Sequence, residues 1–216
     1  RGIFLLASSA GGVYAGSKGP PFTSSSTPRP LSDYGRLKRG QELHIAGAWS
    51  GRARLVVARL ANLYGPGQNL SKLQGIVSSL CWSAITKREV NIFVPLDTLR
   101  DYIYVDDAAL RILHWAHSPE RALNHEPTIT VVASGRPISL GNVINTVEDV
   151  LHMRIPVSFG VHSAAAYQAR DVRLTPDADV VIESLPLTPF PAGVRRGFED
   201  LLSRRQAQHQ LTIESR

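Results

Sequence analysis

Two largely apolar runs with a helical stretch between them constrain this chain more than anything else in it. "GIFLLAS" (2–8) and "RLVVARL" (54–60) lack the in-out alternation of a strand that keeps one face in water. Such runs belong to parallel strands buried on both faces. Between them, "SDYGRLKRGQELHIAGAW" (32–49) reads as a helix with Ser32 or Asp33 as its N-cap. Parallel strands need a long crossover, so strand, helix, strand predicts a βαβ unit and an α/β fold. The pattern continues with a helix in "GIVSSLCWSAI", a short strand "VNIFV", and an extended piece leading into a helix in "DYIYVDDAALRILHWAHS". That helix is expected to be capped at Asp106 or Asp107, with Ala109, Leu110, Ile112, Leu113 and Ala116 sharing one face. "TITVVAS" reads as a strand, "SLGNVINTVEDVLH" as a helix, "IPVSFG" as a strand, and Ala192–Arg205 as a last helix before a polar, frayed tail from Gln206.

The stretch "ASSAGGVYAGSKGPP" (7–21) tests a phosphate-binding glycine loop, since Gly11 and Gly16 have the right separation. Lys18 comes one place late, no hydroxyl follows it, and Gly19-Pro20-Pro21 stands where a helix must begin. The segment from Gly16 to Leu31 is rich in Ser, Pro and Gly, as in a flexible linker or a binding loop. No apolar run approaches the roughly 18 residues a membrane helix needs. The five-residue apolar core near the N-terminus is too short for a secretory signal. The one cysteine, Cys81, excludes an internal disulfide, fits a reducing compartment, and sits in apolar sequence as a buried structural thiol would. A net charge of +6 is spread over single or paired basic residues without aromatic interleaving. That pattern argues against nucleic-acid binding and suits a small anionic substrate.

Tyr34 and Lys38 stand four apart, which places them on one helix face with about 5–6 Å between β-carbons. An ammonium beside a phenol favours the phenolate, the form that exchanges protons with a substrate hydroxyl. Ser8 and Ser9, at the tip of the first strand, are placed to offer that oxygen a hydrogen bond, and the glycines after them let a ligand approach.

The order "SSAGGVYAG", "YGRLK", "RLANLYGPGQ", "RDYIYVDDAA" resembles the extended short-chain dehydrogenase/reductase family, in its NAD-dependent epimerase/dehydratase branch acting on nucleotide sugars. The likeness runs through "ASGRPISLGNVINTVEDVL" and "FPAGVRRGFEDLL" and so covers essentially the whole chain. It implies the C-terminal part of a Rossmann-type parallel sheet with a small α/β substrate-binding region. Residues 1–65 would be a partial NAD(P)-binding domain, 66–205 mainly the substrate region, and 206–216 the frayed tail.

Carried over by resemblance, Tyr34 is the acid/base, Lys38 holds the nicotinamide ribose and favours the phenolate, and Ser9 is the assisting hydroxyl. Many relatives place that hydroxyl where Ala10 stands, so Ser9 takes the role through a one-residue slip. Ser8 and Leu60 (where proline is usual) join Tyr34 and Lys38 in cofactor contact. Asn62, Arg100 and Gly11 face the substrate, with Arg100 gripping the nucleotide diphosphate through its bidentate donors. The plainer role for Arg100 is a surface ion pair with Asp101, and for Asp107 a helix cap.

The dehydratases of the family carry acidic residues where this chain has Ala10, Gly11 and Gly12. Without them, epimerisation through a transient keto sugar or a simple reduction or oxidation is expected. A non-catalytic nucleotide-sugar-binding module is the reading from another class. No glycine-rich strand–turn–helix for a pyrophosphate is present, and Gly65-Pro66-Gly67 has Leu70 where a third glycine would stand. The chain, opening on Arg1, is therefore expected to be a piece of a longer protein, with weak NAD (or NADP) binding by itself and poor solubility. The resemblance further implies a cytoplasmic homodimer when complete, with no nucleic-acid or membrane partner.

Overall fold

The computed structural model describes residues 2–49, 53–69, 75–117, 127–177 and 179–214; Leu70 and Arg1 lie outside them. In chain order the elements are β1 (Ile3–Ser9), α1 (Ala10–Tyr14), α2 (Asp33–Ala48), β2 (Arg54–Leu60), β3 (Asn62–Tyr64), α3 (Ile76–Thr86), β4 (Val90–Ile92) and β5 (Leu99–Tyr104). They continue with α4 (Val105–His117), β6 (Thr128–Val132), β7 (Pro137–Ser139), α5 (Leu140–Leu151), β8 (Val157–Phe159), β9 (Asp171–Val172), α6 (Val180–Ser184) and α7 (Phe190–Glu214).

The two apolar runs pair in parallel as β1 and β2, with Ser9 opposite Leu60, and β6 adds in parallel on the far side of β2. The expected βαβ unit is therefore present, with α2 as its crossover. This is the α/β, Rossmann-type arrangement, and all of Leu55 to Arg59 is buried in its centre. A second sheet is built on β5, which pairs with β3 and β9 in parallel and with β7 antiparallel, while β4 and β8 form a separate parallel pair.

Strand alternation divides β5 between two cores. Tyr102 and Tyr104 pack with the apolar faces of α3, α5 and α7, whereas Ile103 joins Ala10, Val13, Tyr14, Phe22 and Val132 beneath the first sheet. Cys81 lies in the first of these cores, where burial pushes its thiol up to about 12, so it is the inert core cysteine expected.

Several local expectations change. Residues 10–14, left without an element by the sequence, form the short helix α1, which Ser9 caps by accepting a hydrogen bond from Gly12 N at 3.1 Å. The Ser/Pro/Gly-rich segment is not a free linker. Gly16 N donates to Arg29 O, Phe22 N to Arg173 O and Thr175 N to Phe22 O, and Pro20-Pro21 is cis. The inward face of α4 is not the leucine face, for Leu110 and Leu113 are 52% and 53% exposed while Ala108, Arg111 and Trp115 are buried. α7 runs nine residues past the expected end, to Glu214. Asp107 does not cap its own helix. Its two oxygens accept from Thr188 N at 2.8 Å and Thr188 Oγ1 at 2.9 Å, tying α4 to the approach of α7.

Candidate active site

The site is assembled where β1 ends. Ser9 closes the strand and starts α1, so its hydroxyl sits at the sheet's C-terminal edge. Ser32 caps α2 by accepting from Gly35 N at 3.1 Å, which places Tyr34 in the first turn.

Two glycines bring the helices together. A β-carbon on Gly35 would lie 2.3 Å from Gly12 O, so only glycine permits the contact between α1 and α2. A β-carbon on Gly12 would lie 3.2 Å from Tyr34 Cε1 and 3.3 Å from Ser9 Oγ. The phenol ring and the serine hydroxyl thus converge over bare backbone. One helical turn on, Lys38 Nζ donates to Ala7 O at 3.0 Å and stands 6.0 Å from the centroid of the Tyr34 ring. Tyr34 remains 41% exposed, so the cluster can be reached from solvent. Gly11, beside it, has open space where a side chain would be.

Of the sequence-expected residues, the structure brings together Ser9, Gly11, Tyr34 and Lys38, with Leu60 paired to Ser9 at the end of β2. Asn62 is exposed at the start of β3, beside Tyr102, and Arg100 lies two residues before Tyr102 on β5. Arg100 does not pair with Asp101. Its guanidinium donates to Leu99 O at 2.8 Å, Gln168 Oε1 at 3.2 Å and Ala169 O at 2.6 Å. It forms no ion pair among the described residues, and burial lowers its pKa. Asp101 turns instead to Ser134 N at 2.8 Å, and burial raises its carboxyl pKa.

Ser8 departs from expectation. Strand alternation points it away from Ser9, and it is 4% exposed with its hydroxyl donating to Glu42 Oε1 at 2.6 Å. Its hydroxyl is committed to Glu42. Glu42 and its partner Arg59 are the residues that motif reading missed. Two signals pointed to them: Glu42 extends the four-residue spacing of Tyr34 and Lys38, and Arg59 interrupts an otherwise apolar strand interior.

The pattern of the NAD dependent epimerase/dehydratase family matches residues 1–132, the span from β1 through β6 that contains the whole cluster. This chain belongs to that family. The epimerase/dehydratase chain is 37% identical over 93 residues to a dTDP-L-rhamnose 4-epimerase of Burkholderia thailandensis, covering 42% of this chain and 25% of that protein. It is 28% identical over 160 residues to a dTDP-4-dehydro-6-deoxyglucose reductase of Escherichia coli, covering 72% of this chain and 48% of the reductase. The chain therefore spans about half or less of the curated relatives it matches. Among solved structures, the UDP-glucose 4-epimerase of Thermus thermophilus in complex with NAD superposes with a TM-score of 0.72 at 20% identity. That superposition covers 92% of this chain and 63% of the other, and it shows a shared fold. No helix among the described residues is long and apolar enough to cross a membrane.

Proposed function

We propose that the chain carries the acid–base and sugar-nucleotide side of an enzyme that epimerises a nucleotide sugar through a transient keto intermediate. The observation that carries this reading is the convergence of Tyr34 and Ser9 over Gly12, with Lys38 one turn away. The donor set suits half of NAD: an exposed phenol and an ammonium fit the hydroxyls of a nicotinamide ribose. The described residues offer no glycine-rich turn for its pyrophosphate. Bound beside Tyr34 and Lys38, NAD would supply hydride acceptance and return.

The protein's own residues do the rest. Tyr34 Oη takes the proton of the sugar hydroxyl being oxidised and returns it after the sugar has turned over. Ser9 Oγ hydrogen-bonds the same sugar oxygen and keeps it aligned with the phenol. Lys38 meets the ribose. Arg100 and Asn62 hold the diphosphate, and Gly11 leaves room for the sugar. Where a dehydratase would need a carboxylate, Gly11 and Gly12 offer none, which favours epimerisation over dehydration. A homodimer through α2, whose Leu37 and Leu43 are 59% and 56% exposed, belongs to the same proposal and is read by sedimentation velocity.

The test is incubation of the full product of the reading frame with NAD, and separately with NADH, against a panel of dTDP- and UDP-hexoses and their 4-keto forms. Sugar configuration is followed by NMR and NADH by absorbance. Conversion to an epimer without net NADH supports the proposal. Net consumption of NADH moves the function to a one-way reductase, the reading favoured by the likeness to the Escherichia coli enzyme. Binding of a nucleotide sugar without turnover makes the protein a binding module.

A further inference from the structure

We infer that the buried pair Glu42–Arg59 positions the acid–base cluster: it sets where α2 sits along β1, and so where Tyr34 meets Ser9. The inference rests on the proposed function only in naming Tyr34 as the acid/base; the geometry stands without it.

α2 is anchored unusually. Its only buried residues are Gly35 and Glu42, while Leu37 and Leu43 face solvent. Apolar packing, which stabilises most helices against their sheets, therefore contributes little here. One end of the helix is fixed by the Gly35–Gly12 backbone contact. The other is fixed by Glu42, which is 2% exposed and accepts four hydrogen bonds. Its Oε1 takes Ser8 Oγ at 2.6 Å and Arg59 Nε at 3.0 Å, and its Oε2 takes Arg59 Nη2 at 2.7 Å and Arg39 Nη1 at 2.9 Å. Lys38 lies between these two anchors, and Tyr34 immediately precedes the first.

The grip also reaches the rest of the site. Ser8 is the β1 residue between Ala7, whose carbonyl receives Lys38, and Ser9. Arg59 pairs with Ser8 across the sheet, and its Nη1 donates to Tyr14 Oη of α1 at 2.6 Å. Tyr14 in turn donates to Thr23 O at 2.7 Å. One carboxylate and one guanidinium thus register α2, β1, β2 and α1 together. A planar fork on a carboxylate accepts one geometry, whereas apolar contacts tolerate sliding. Registry is also the best-attested use of a buried charged or polar group, whose net contribution to stability is often small.

The test reads position directly. The protein is labelled with ¹³C-tyrosine, and the Tyr34 ring signal is assigned by its loss in Tyr34→Phe. A nuclear Overhauser contact is expected to join the Tyr34 ring to the Gly12 α-protons, since a β-carbon on Gly12 would lie 3.2 Å from the ring. Glu42→Gln, which keeps shape but loses charge, and Arg59→Lys, which keeps charge but loses the fork, are expected to remain folded. Each should weaken the Tyr34–Gly12 contact at least twofold and broaden the Tyr34 signal, leaving the Tyr64–Tyr104 ring contact in the other core unchanged. A lowered melting temperature with the Tyr34–Gly12 contact intact makes the pair merely structural and overturns the inference. Loss of fold in both variants makes the pair a condition of folding and overturns it as well. Tyr34→Phe turnover is measured separately, so a failure of the proposed function leaves the positioning result readable.

Discussion

Tyr34 and Glu42 stand two helical turns apart on α2 with opposite surroundings, and each carries a prediction of its own. Tyr34 is open to ligand, so Tyr34→Phe removes a single oxygen from the site and nothing from the core. Turnover should fall about 10²–10⁴-fold, the usual weight of a positioned acid/base, with nucleotide-sugar affinity by calorimetry unchanged. Glu42 is a stability residue with a pH signature. Burial acts to raise its carboxyl pKa, but hydrogen bonds from Arg59, Ser8 and Arg39 outweigh this and hold it below the ordinary carboxylate value. The folded chain then binds fewer protons there than the unfolded one. Its contribution is complete above the ordinary carboxylate range and is lost as pH falls through the depressed value. Glu42→Gln should cost about 3 kcal/mol at neutral pH, as expected when one partner of a buried pair is removed. Urea midpoints at pH 7 and pH 3 should show that gap narrowing in acid. Tyr34 and Lys38 were legible in the sequence because their chemistry depends on a spacing within one helix. Ser8 and Ser9 differ because adjacent strand residues face opposite ways, and which of the two turns inward to Glu42 depends on the helix laid over the strand.

At the scale of the element, α2 contains its own control. Gly35 is in backbone contact with Gly12, whereas a β-carbon on Gly40 would meet nothing within 4 Å. Gly35→Ala should push α1 and α2 apart and destabilise by about 1–3 kcal/mol, as overpacking does. Gly40→Ala should stabilise by about 0.5–1 kcal/mol through helix propensity. Chemical denaturation of the two variants checks both signs. α4 shows the limit of periodicity. Its leucines marked one face as apolar, yet Trp115 enters the core with Val56 and Ile182 and turns that face outward. One large ring buries more apolar area than two exposed leucines forfeit, and a face count gives each residue equal weight.

For the whole molecule the notable surface is β1. Among the described residues its sheet neighbour is β2, and Ile3, Phe4 and Leu5 are 42%, 45% and 39% exposed. Exposed apolar strand residues of this kind template association. Ile3→Lys should lower concentration-dependent light scattering without lowering the melting temperature; unchanged scattering would clear β1 of that role.

What could be read from residue order was what the chain encodes locally: the apolar runs of two parallel strands, the Ser32 cap, the Tyr34–Lys38 spacing and the family motifs around them. Those features depend on neighbours within a few positions. The carbonyl that Lys38 meets, the carboxylate that Arg59 neutralises, the turning of Arg100 from Asp101 to the backbone of 168–169, and the bare patch at Gly12 join residues up to about seventy positions apart. Hydrogen bonds and steric fits of that range have no sequence period, so they came into view only with the packed fold.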